Sequence, residues 1–329
     1  MNNSGRTMNS LQALSRYYLF YAAGDAIGKT TEFMTQEDIS AKIGRIDGLV
    51  EGRFSQNHSD MLPREVTDDT EQNLWLLRRY LKDGFVTIEN TVIALVDWIK
   101  ATGAVEKKYI GPSSLAALES IMKGGDPKHT GLNGTTCGAI MRSPAAVWGS
   151  ILLEQDLDNC IYNAVVPTHN TSVALESAFA YGYALKASLE GADVKAIYEE
   201  AIRGCSIGIS KAPWVWASAG LLPRLKYLRT LGLESWDEDK LKAFMYGVLG
   251  TGLQSYETSS AVAALTFYTK SPVKALFLAA ETGGDTDTIG ALASGLVSMI
   301  NTKEELPGNI ATVLLEHNDL SINKGYKVK

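Results

Sequence analysis

Residues 283–300 read GGDTDTIGALASGLVSMI, an oxygen-rich turn followed by a long apolar run. The large apolar side chains of this run recur every three or four positions, at Ile289, Leu292, Leu296 and Ile300. That spacing places them on one face of an α-helix. The two glycines give the preceding turn backbone freedom, so the carboxylates of Asp285 and Asp287 can point to one spot. The stretch predicts a helix with an apolar face and two carboxylates at its N-terminus.

The same period recurs from the start of the chain. Leu11, Leu14, Tyr18 and Ala22 mark a first helix that ends near Gly24 and Gly28. A polar, glycine-containing loop is predicted from about residue 30 to residue 65, and a second helix from Thr67 to the Asp83-Gly84 stop signal. Further helices are predicted at residues 88–101, 112–123, 138–152, 169–189, 192–208, 239–249, 256–268, 271–281 and 286–301.

Fold class follows from this pattern and from the composition. The chain has 329 residues, of which 45% are hydrophobic, enough for a large buried core. Strand signals are nearly absent, and no internal repeat or Pro- or Ser-rich linker divides the chain. We therefore expect one compact all-α domain over residues 10–329, preceded by a loose polar leader at residues 1–9.

Charge and cysteine usage restrict the partners and the compartment. The net charge is -6 without any block of Lys and Arg, which disfavours nucleic acid as a main partner. No apolar run reaches the roughly 18 residues of a membrane span, and no signal peptide begins the chain. Cys137, Cys160 and Cys205 form no CxxC pair, as is common in a reducing compartment. These features predict a cytoplasmic protein with no membrane partner.

Two acidic clusters occupy predicted helix starts. Residues 67–71 read TDDTE, and residues 283–288 read GGDTDT. Each cluster alone is explained by helix capping, because carboxylates and hydroxyls accept hydrogen bonds from the first N–H groups. Together they supply more oxygens than caps require, and these carboxylates would repel one another unless cations lay between them. An all-oxygen set without nearby Cys or His favours Mg²⁺ or Mn²⁺ over zinc.

A competing interpretation concerns residues 23–30, which read AGDAIGKT. Apart from Ala23, this is the phosphate-binding P-loop pattern, and residues 92–97 resemble a strand that ends in a magnesium-binding Asp. Two observations oppose an ATPase. The apolar residues of 92–99 fall on one helical face, and Asp25 would place negative charge in a loop that cradles phosphate. If the stretch only ends a helix, Lys29→Ala should leave activity largely intact.

Two further residues have both a structural and a catalytic interpretation. His169 follows Pro167-Thr168 at a predicted helix start, where a helix-initiating polar role competes with that of a base. Cys137 could form a thiol nucleophile with His169, but nothing local signals activation, and a small buried hydrophobic side chain explains it better.

Several short motifs occur in the order found in the ADP-ribosylglycohydrolase family, which the chain resembles over about residues 10–301. They are Gly24-Asp25-Ala26-Ile27-Gly28 with Glu32-Phe33, Thr67-Asp68-Asp69-Thr70, Met141-Arg142, Thr168-His169, and Gly283-Gly284-Asp285-Thr286-Asp287-Thr288. The resemblance implies an all-α fold with a central binuclear site for two Mg²⁺ or Mn²⁺ ions. It implies as metal ligands Thr67, Asp68, Asp69, Asp285, Asp287 and Thr288. The candidate catalytic carboxylates are Glu32 and Asp69.

The resemblance also implies an activity, with one departure. It implies a metal-dependent N-glycosyl hydrolase that cleaves ADP-ribose from a modified acceptor, with arginine as the expected acceptor type. Family members commonly carry Gly-Asn-Gly just before the Met-Arg pair. In this chain Thr136-Cys137-Gly138 precedes that pair instead, and the earlier Asn133-Gly134 could replace the motif through a loop insertion. The substrate pocket is therefore less defined than the metal site. Hydrolysis of a small riboside or nucleoside, and a silent ADP-ribose-binding protein, stay as alternatives.

Overall fold

The protein is an assembly of helices with almost no strand structure. The structure, a computed structural model, describes residues 9–55, 58–107 and 109–322. Within these residues it contains fifteen α-helices, and the β pairing is confined to an isolated bridge between Thr136 and Gln254. The helices are α1 (Ser10–Gly28), α2 (Gln36–Lys42), α3 (Asp68–Asp83), α4 (Ile88–Thr102), α5 (Pro112–Met122), α6 (Gly138–Leu152), α7 (Leu157–Val165), α8 (Ser172–Leu189), α9 (Val194–Lys211), α10 (Leu221–Leu228), α11 (Glu238–Phe244), α12 (Ser255–Tyr268), α13 (Pro272–Thr282), α14 (Thr286–Ile300) and α15 (Gly308–His317). The predicted all-α fold class is confirmed.

Helices α1 and α14 form the centre of the core. Both are buried along most of their length, and they cross where Gly24 of α1 meets Gly290 of α14. A Cβ atom on Gly24 would lie 2.2 Å from the carbonyl carbon of Gly290, so only glycine permits this approach. The long helix α8, also buried nearly throughout, packs beside them and against α9. Among the described residues, no helix is both long and apolar enough to cross a membrane.

Four helices were not predicted from the sequence. They are α2, which lies inside the predicted loop, together with α7, α10 and α15. Each has only seven to ten residues, and α2 buries a single side chain, Ile39. Helices of two or three turns offer few positions on which a period can be recognised, and they depend on packing rather than on intrinsic propensity. The helix predicted at residues 239–249 is divided, because α11 ends at Phe244 and a π-helical turn, Met245–Leu249, follows.

The last residue of the predicted leader, Asn9, caps the first helix. Residues 1–8 lie outside the described residues, but Asn9 is the N-cap of α1. Its side chain accepts a hydrogen bond from the Gln12 N–H at 2.9 Å, and the Gln12 side chain accepts one from Asn9 N–H. This reciprocal pair is a capping box. Asn9 therefore belongs to the folded part of the chain.

The P-loop interpretation is wrong. Residues 23–28 lie within α1 and residues 92–97 within α4, so neither a phosphate-binding loop nor a strand is present there. Lys29 is buried and its ammonium donates to the carbonyl oxygens of Ala26, Pro63 and Glu65. Because it holds the chain that leads into α3, its truncation to alanine would disturb the fold, contrary to the neutral effect expected from the sequence.

Candidate metal and substrate site

The N-terminus of α3 is held by a carboxylate of α1. Asp25 is fully buried and accepts hydrogen bonds from the backbone N–H groups of Thr67 and Thr70, at 3.0 and 3.1 Å. It also accepts the hydroxyl hydrogen of Thr70 at 2.5 Å. The carboxylate therefore caps the helix and is stabilised by the positive end of its dipole. Asp25 thus fixes the position of the first acidic cluster relative to α1.

The N-terminus of α14 is held against the last turn of α1, one helical turn beyond Asp25. A Cβ atom on Gly28 would lie 2.3 Å from the carbonyl oxygen of Thr286 and 2.6 Å from the Cα of Asp287. The missing side chain lets the two backbones touch, and the Thr286 hydroxyl donates to the Gly28 carbonyl at 2.8 Å. The Gly24-to-Gly28 pattern therefore serves helix contact rather than phosphate binding.

The two acidic clusters meet at Thr288. Its hydroxyl oxygen lies 3.2 Å from Oδ2 of Asp69 and 3.0 Å from Oδ1 of Asp285. The second oxygen of Asp285 accepts the hydroxyl hydrogen of Thr258 at 3.0 Å. The helix heads that are far apart in sequence are thus neighbours in space.

A cavity of about 180 Å³ opens at this junction. Six of the predicted site residues line it, namely Glu32, Asp68, Asp69, Asp285, Asp287 and Thr288. The seventh residue, Thr67, is the N-cap of α3. Its hydroxyl oxygen accepts a hydrogen bond from the Asp69 N–H at 3.4 Å. The cavity wall also includes Phe33, His58, Tyr109, Ser114, Thr136 and Cys137. The candidate catalytic and metal residues therefore line or adjoin one cavity.

The electrostatics of the cavity favour bound cations. Burial, and then the negative charge of neighbouring carboxylates, raises the pKa of both Asp69 and Asp287 well above the usual range. The same two causes, with Glu32 as the charged neighbour, raise the pKa of Asp285 to about 7. Oδ1 of Asp69 is buried and has no hydrogen-bond donor among the described residues. A crowded oxygen set with an unpaired buried oxygen fits hard divalent cations such as Mg²⁺ or Mn²⁺.

Glu32 reaches the cavity through an unusual backbone turn. The next residue, Phe33, has φ of 59°, a left-handed conformation that is uncommon for a bulky side chain. Its N–H donates to the Gly284 carbonyl at 2.7 Å, and the Gly284 N–H donates to the Met34 carbonyl at 3.2 Å. This paired contact ties the segment after α1 to the turn before α14. The strain is retained at a position that presents Glu32 beside the aspartates.

His58 is a cavity residue that the sequence analysis did not select. Its Nε2 lies 2.8 Å from Oε2 of Glu32, and both side chains are buried. Within the described part of the chain, Glu32, His58 and Asp287 form a group whose ligand atoms all lie within 4.8 Å of one another. The prediction of an all-oxygen ligand set assumed that no histidine lies near the carboxylates. The position of His58 shows that this assumption was wrong. His58 lies in a loop without periodicity, and nothing in the sequence pattern marks it.

The thiol-nucleophile hypothesis has no support from the geometry. Burial raises the pKa of the Cys137 thiol well above its ordinary value, and Asp285 adds to the shift. Burial and then the positive charge of Arg142 lower the pKa of His169 well below its ordinary value, so its imidazole is neutral. Its two ring nitrogens contact the hydroxyls of Thr136 and Thr168, at 2.9 and 2.8 Å. His169 therefore supports the cavity wall from behind.

The fold and the site together define a class: an all-α protein with a buried, carboxylate-lined cavity suited to divalent cations. The family model described as ADP-ribosylglycohydrolase matches residues 19–323, nearly the whole chain. The chain belongs to the ADP-ribosylglycohydrolase family, as its motifs predicted. Membership supports hydrolysis of ADP-ribose glycosidic linkages as the general class of activity.

Individual relatives agree with this assignment. The chain is 27% identical over 310 residues to "Uncharacterized protein YegU" of Escherichia coli (strain K12), covering 92% of each. It is 24% identical to the ADP-ribosyl-[dinitrogen reductase] glycohydrolase of Rhodospirillum rubrum, covering 88% of this chain and 86% of that protein. A solved structure described as an ADP-ribosylglycohydrolase-related protein complex superposes with a TM-score of 0.62 at 20% identity, covering 93% of this chain and 96% of that chain. That structural likeness concerns the fold alone.

Proposed function

We propose that the protein is a metal-dependent hydrolase that cleaves the N-glycosidic bond between ADP-ribose and a modified acceptor, with arginine as the acceptor type. The observation that carries this proposal is the meeting of two carboxylate-bearing helix N-termini around one cavity, in which Oδ1 of Asp69 is buried and has no hydrogen-bond partner in the part of the chain that the structure describes. The name of the Rhodospirillum rubrum relative, which describes a glycohydrolase of an ADP-ribosylated protein, supports the substrate class.

The cation-binding part of the proposal uses the acidic residues of α3 and α14. Two Mg²⁺ or Mn²⁺ ions would be held by a set drawn from Thr67, Asp68, Asp69, Asp285, Asp287 and Thr288. When bound, such ions hold vicinal hydroxyls and lower the pKa of water. The backbone contacts of Asp25 and Gly28 fix the two helix heads, so the carboxylates are positioned before any ion arrives.

The remaining cavity residues bind and orient the substrate and exchange protons. Glu32 and Asp69 are the carboxylates that can accept a proton from water or return one to the leaving nitrogen. Ser114 and Thr136 line the cavity. The Ser114 hydroxyl oxygen accepts a hydrogen bond from Arg142 at 2.7 Å, so its hydrogen can be donated to a sugar oxygen. The ring of Tyr109 lies at the wall, where it can pack against the substrate.

The size of the cavity favours one alternative. About 180 Å³ is below the roughly 300 Å³ at which ligand pockets usually begin. A ribose with a small aglycone fits this volume, whereas the diphosphate and adenosine of ADP-ribose would extend beyond it. Hydrolysis of a small riboside is therefore the second candidate function.

A parallel substrate assay tests the proposal. ADP-ribosyl-arginine, O-linked ADP-ribosyl-serine and a nucleoside panel are incubated with Mn²⁺ or Mg²⁺, with and without chelator. We expect chelator-sensitive release of ADP-ribose from the arginine adduct, lost in Asp69→Asn and retained in the surface control Glu89→Gln. Cleavage of nucleosides alone would establish the riboside alternative. Binding of free ADP-ribose without any cleavage would identify a silent binding protein.

A further inference from the structure

We infer that His58 is a metal ligand, which donates Nε2 to one of the two cations and forms a mixed nitrogen–oxygen corner with Glu32 and Asp287. This corner would favour Mn²⁺ or Fe²⁺ over Mg²⁺ at one position of the site. The inference rests on the proposed function in that it concerns the same cavity, but it assigns a residue outside the acidic motifs of α3 and α14.

The distance between Nε2 of His58 and Oε2 of Glu32 matches the distance between two ligand atoms of one metal ion. Nε2 of His58 and Oε2 of Glu32 are 2.8 Å apart, yet Oε2 has no properly oriented hydrogen-bond donor among the described residues. A short contact that is not aligned as a hydrogen bond places two lone-pair donors side by side. With metal–ligand distances of about 2.1 Å, adjacent ligands of an octahedral ion are about 3.0 Å apart. The observed pair has nearly that spacing.

Because His58, Glu32 and Asp287 are buried together, their arrangement is unfavourable without a bound cation. The side chains of His58 and Glu32 are 9% and 10% exposed, and Asp287 is buried beside them. Two buried carboxylates that face one imidazole need positive charge to be stable. A divalent cation bound by all three groups supplies that charge.

The loop that carries His58 is anchored to the helix core. The His58 N–H donates to the Ser55 hydroxyl oxygen at 2.9 Å, and the Ser55 hydroxyl donates to the Lys29 carbonyl at 3.1 Å. The ring of His58 packs edge-to-face on Tyr109, with centroids 5.8 Å apart. The imidazole is therefore held from its backbone and from one ring face, while Nδ1 has no hydrogen-bond partner among the described residues.

Ligand chemistry gives the selectivity. Mg²⁺ strongly prefers oxygen and retains water, whereas imidazole nitrogen is a good ligand for first-row transition ions. The Asp69 and Asp285 side of the cavity offers oxygen from carboxylates, so it accepts either kind of ion. The corner with His58 offers nitrogen, so it discriminates between them.

Pulsed electron paramagnetic resonance on the full chain loaded with Mn²⁺ tests the assignment directly. We expect a ¹⁴N coupling that is typical of a bound imidazole in the wild type and is absent in His58→Phe. The coupling should persist in the control His129→Phe, because that histidine is exposed and pairs with Asp126 on the surface. Labelling histidine with ¹⁵N in the wild type should change the coupling without any substitution, which covers the case in which His58→Phe does not fold.

Titration calorimetry tests the selectivity. In His58→Asn, which offers an oxygen ligand in place of nitrogen, Mn²⁺ affinity at one position should fall by at least about tenfold while Mg²⁺ affinity changes little. Absence of nitrogen coupling in wild type with bound Mn²⁺, or its persistence in His58→Phe, overturns the inference. Chelator-sensitive hydrolysis without nitrogen coupling would contradict the assignment of His58 as a ligand and leave the proposed function intact. Nitrogen coupling without hydrolysis of any ADP-ribosyl substrate would contradict the proposed function and leave the ligand assignment intact.

Discussion

The Asp69 carboxylate is positioned to bind a cation at the expense of the stability of the metal-free protein. Its carboxylate is buried among like charges, and only one of its oxygens has a hydrogen-bond partner, the Thr288 hydroxyl, among the described residues. Without a cation, ionisation of this group in a dry cavity is unfavourable. With one, the same oxygen becomes a strong ligand.

We expect Asp69→Asn to lower divalent-ion affinity by roughly 100-fold, the effect of removing one partner from a buried charge contact. In the metal-free protein the same change should leave the free energy of unfolding unchanged or raise it by about 1 kcal/mol, because it removes a buried carboxyl group whose ionisation its neighbours oppose. Calorimetric titration and thermal unfolding measure the two effects, with Glu89→Gln as a charge-matched surface control. Wild-type affinity in Asp69→Asn would exclude Asp69 as a ligand.

Glu176 is a buried carboxyl group far from the acidic motifs in sequence. On α8, it accepts hydrogen bonds from the Leu221 N–H at 2.8 Å and from the Cys205 thiol at 3.7 Å, and so joins α8 to α9 and α10. Burial raises its pKa to about 7. The folded state therefore retains a proton on Glu176 that the unfolded chain, with a pKa near 4.5, releases earlier.

This difference predicts a pH effect with a defined sign. The folded-state pKa is raised, so the contribution of Glu176 to stability is complete below about pH 4.5 and is lost as the pH rises through 7. Relative to Glu176→Gln, which does not titrate, the wild type should lose about 2 to 3 kcal/mol of unfolding free energy between pH 5 and pH 8. Denaturant unfolding of both proteins at the two pH values measures this. A pH-independent difference would show that Glu176 is ionised in the fold.

At the scale of elements, α1 organises the site although it supplies none of the proposed metal ligands. Asp25 caps α3, and Gly28 receives the backbone of α14 at Thr286 and Asp287. These two contacts, one helical turn apart, place two helix N-termini at one point. The residues that resemble a P-loop in sequence therefore form the contact point of three helices, α1, α3 and α14.

We expect Gly28→Ala to weaken metal binding without touching a ligand. The new Cβ atom would meet the Thr286 carbonyl oxygen at 2.3 Å, so α14 must move away from α1. Overpacking of this kind costs about 1–3 kcal/mol, and the shift displaces Asp287. Thermal unfolding and Mn²⁺ titration measure both effects. The control is Gly308→Ala in α15, where a Cβ atom meets nothing within 4 Å. Equal behaviour of the two variants would contradict the close-contact role of Gly28.

At the scale of the whole molecule, the cations would join helices from opposite ends of the chain. The ligands on α3 and α14 belong to segments that pack on α1, so ion binding and folding are linked. We expect a chelator to lower the melting temperature and Mn²⁺ to restore it. An ion at 100 times its dissociation constant adds about 2.7 kcal/mol per site. Differential scanning calorimetry with and without chelator measures the shift, and the same scan on Asp69→Asn should show little change. A chelator-insensitive melting temperature in the wild type would argue against a metal-linked fold.

Local pattern in the sequence determined the long helices, the all-α class and the two oxygen-rich helix heads, because helical period and N-capping are properties of neighbouring residues. The family motifs added the expectation that Glu32 lies near them. Tertiary structure alone decided that Asp25 caps α3, that Gly28 accommodates α14, and that His58 lies against Glu32. These contacts join residues distant in the chain, and a loop histidine or a helical glycine carries no periodic signal of its partner.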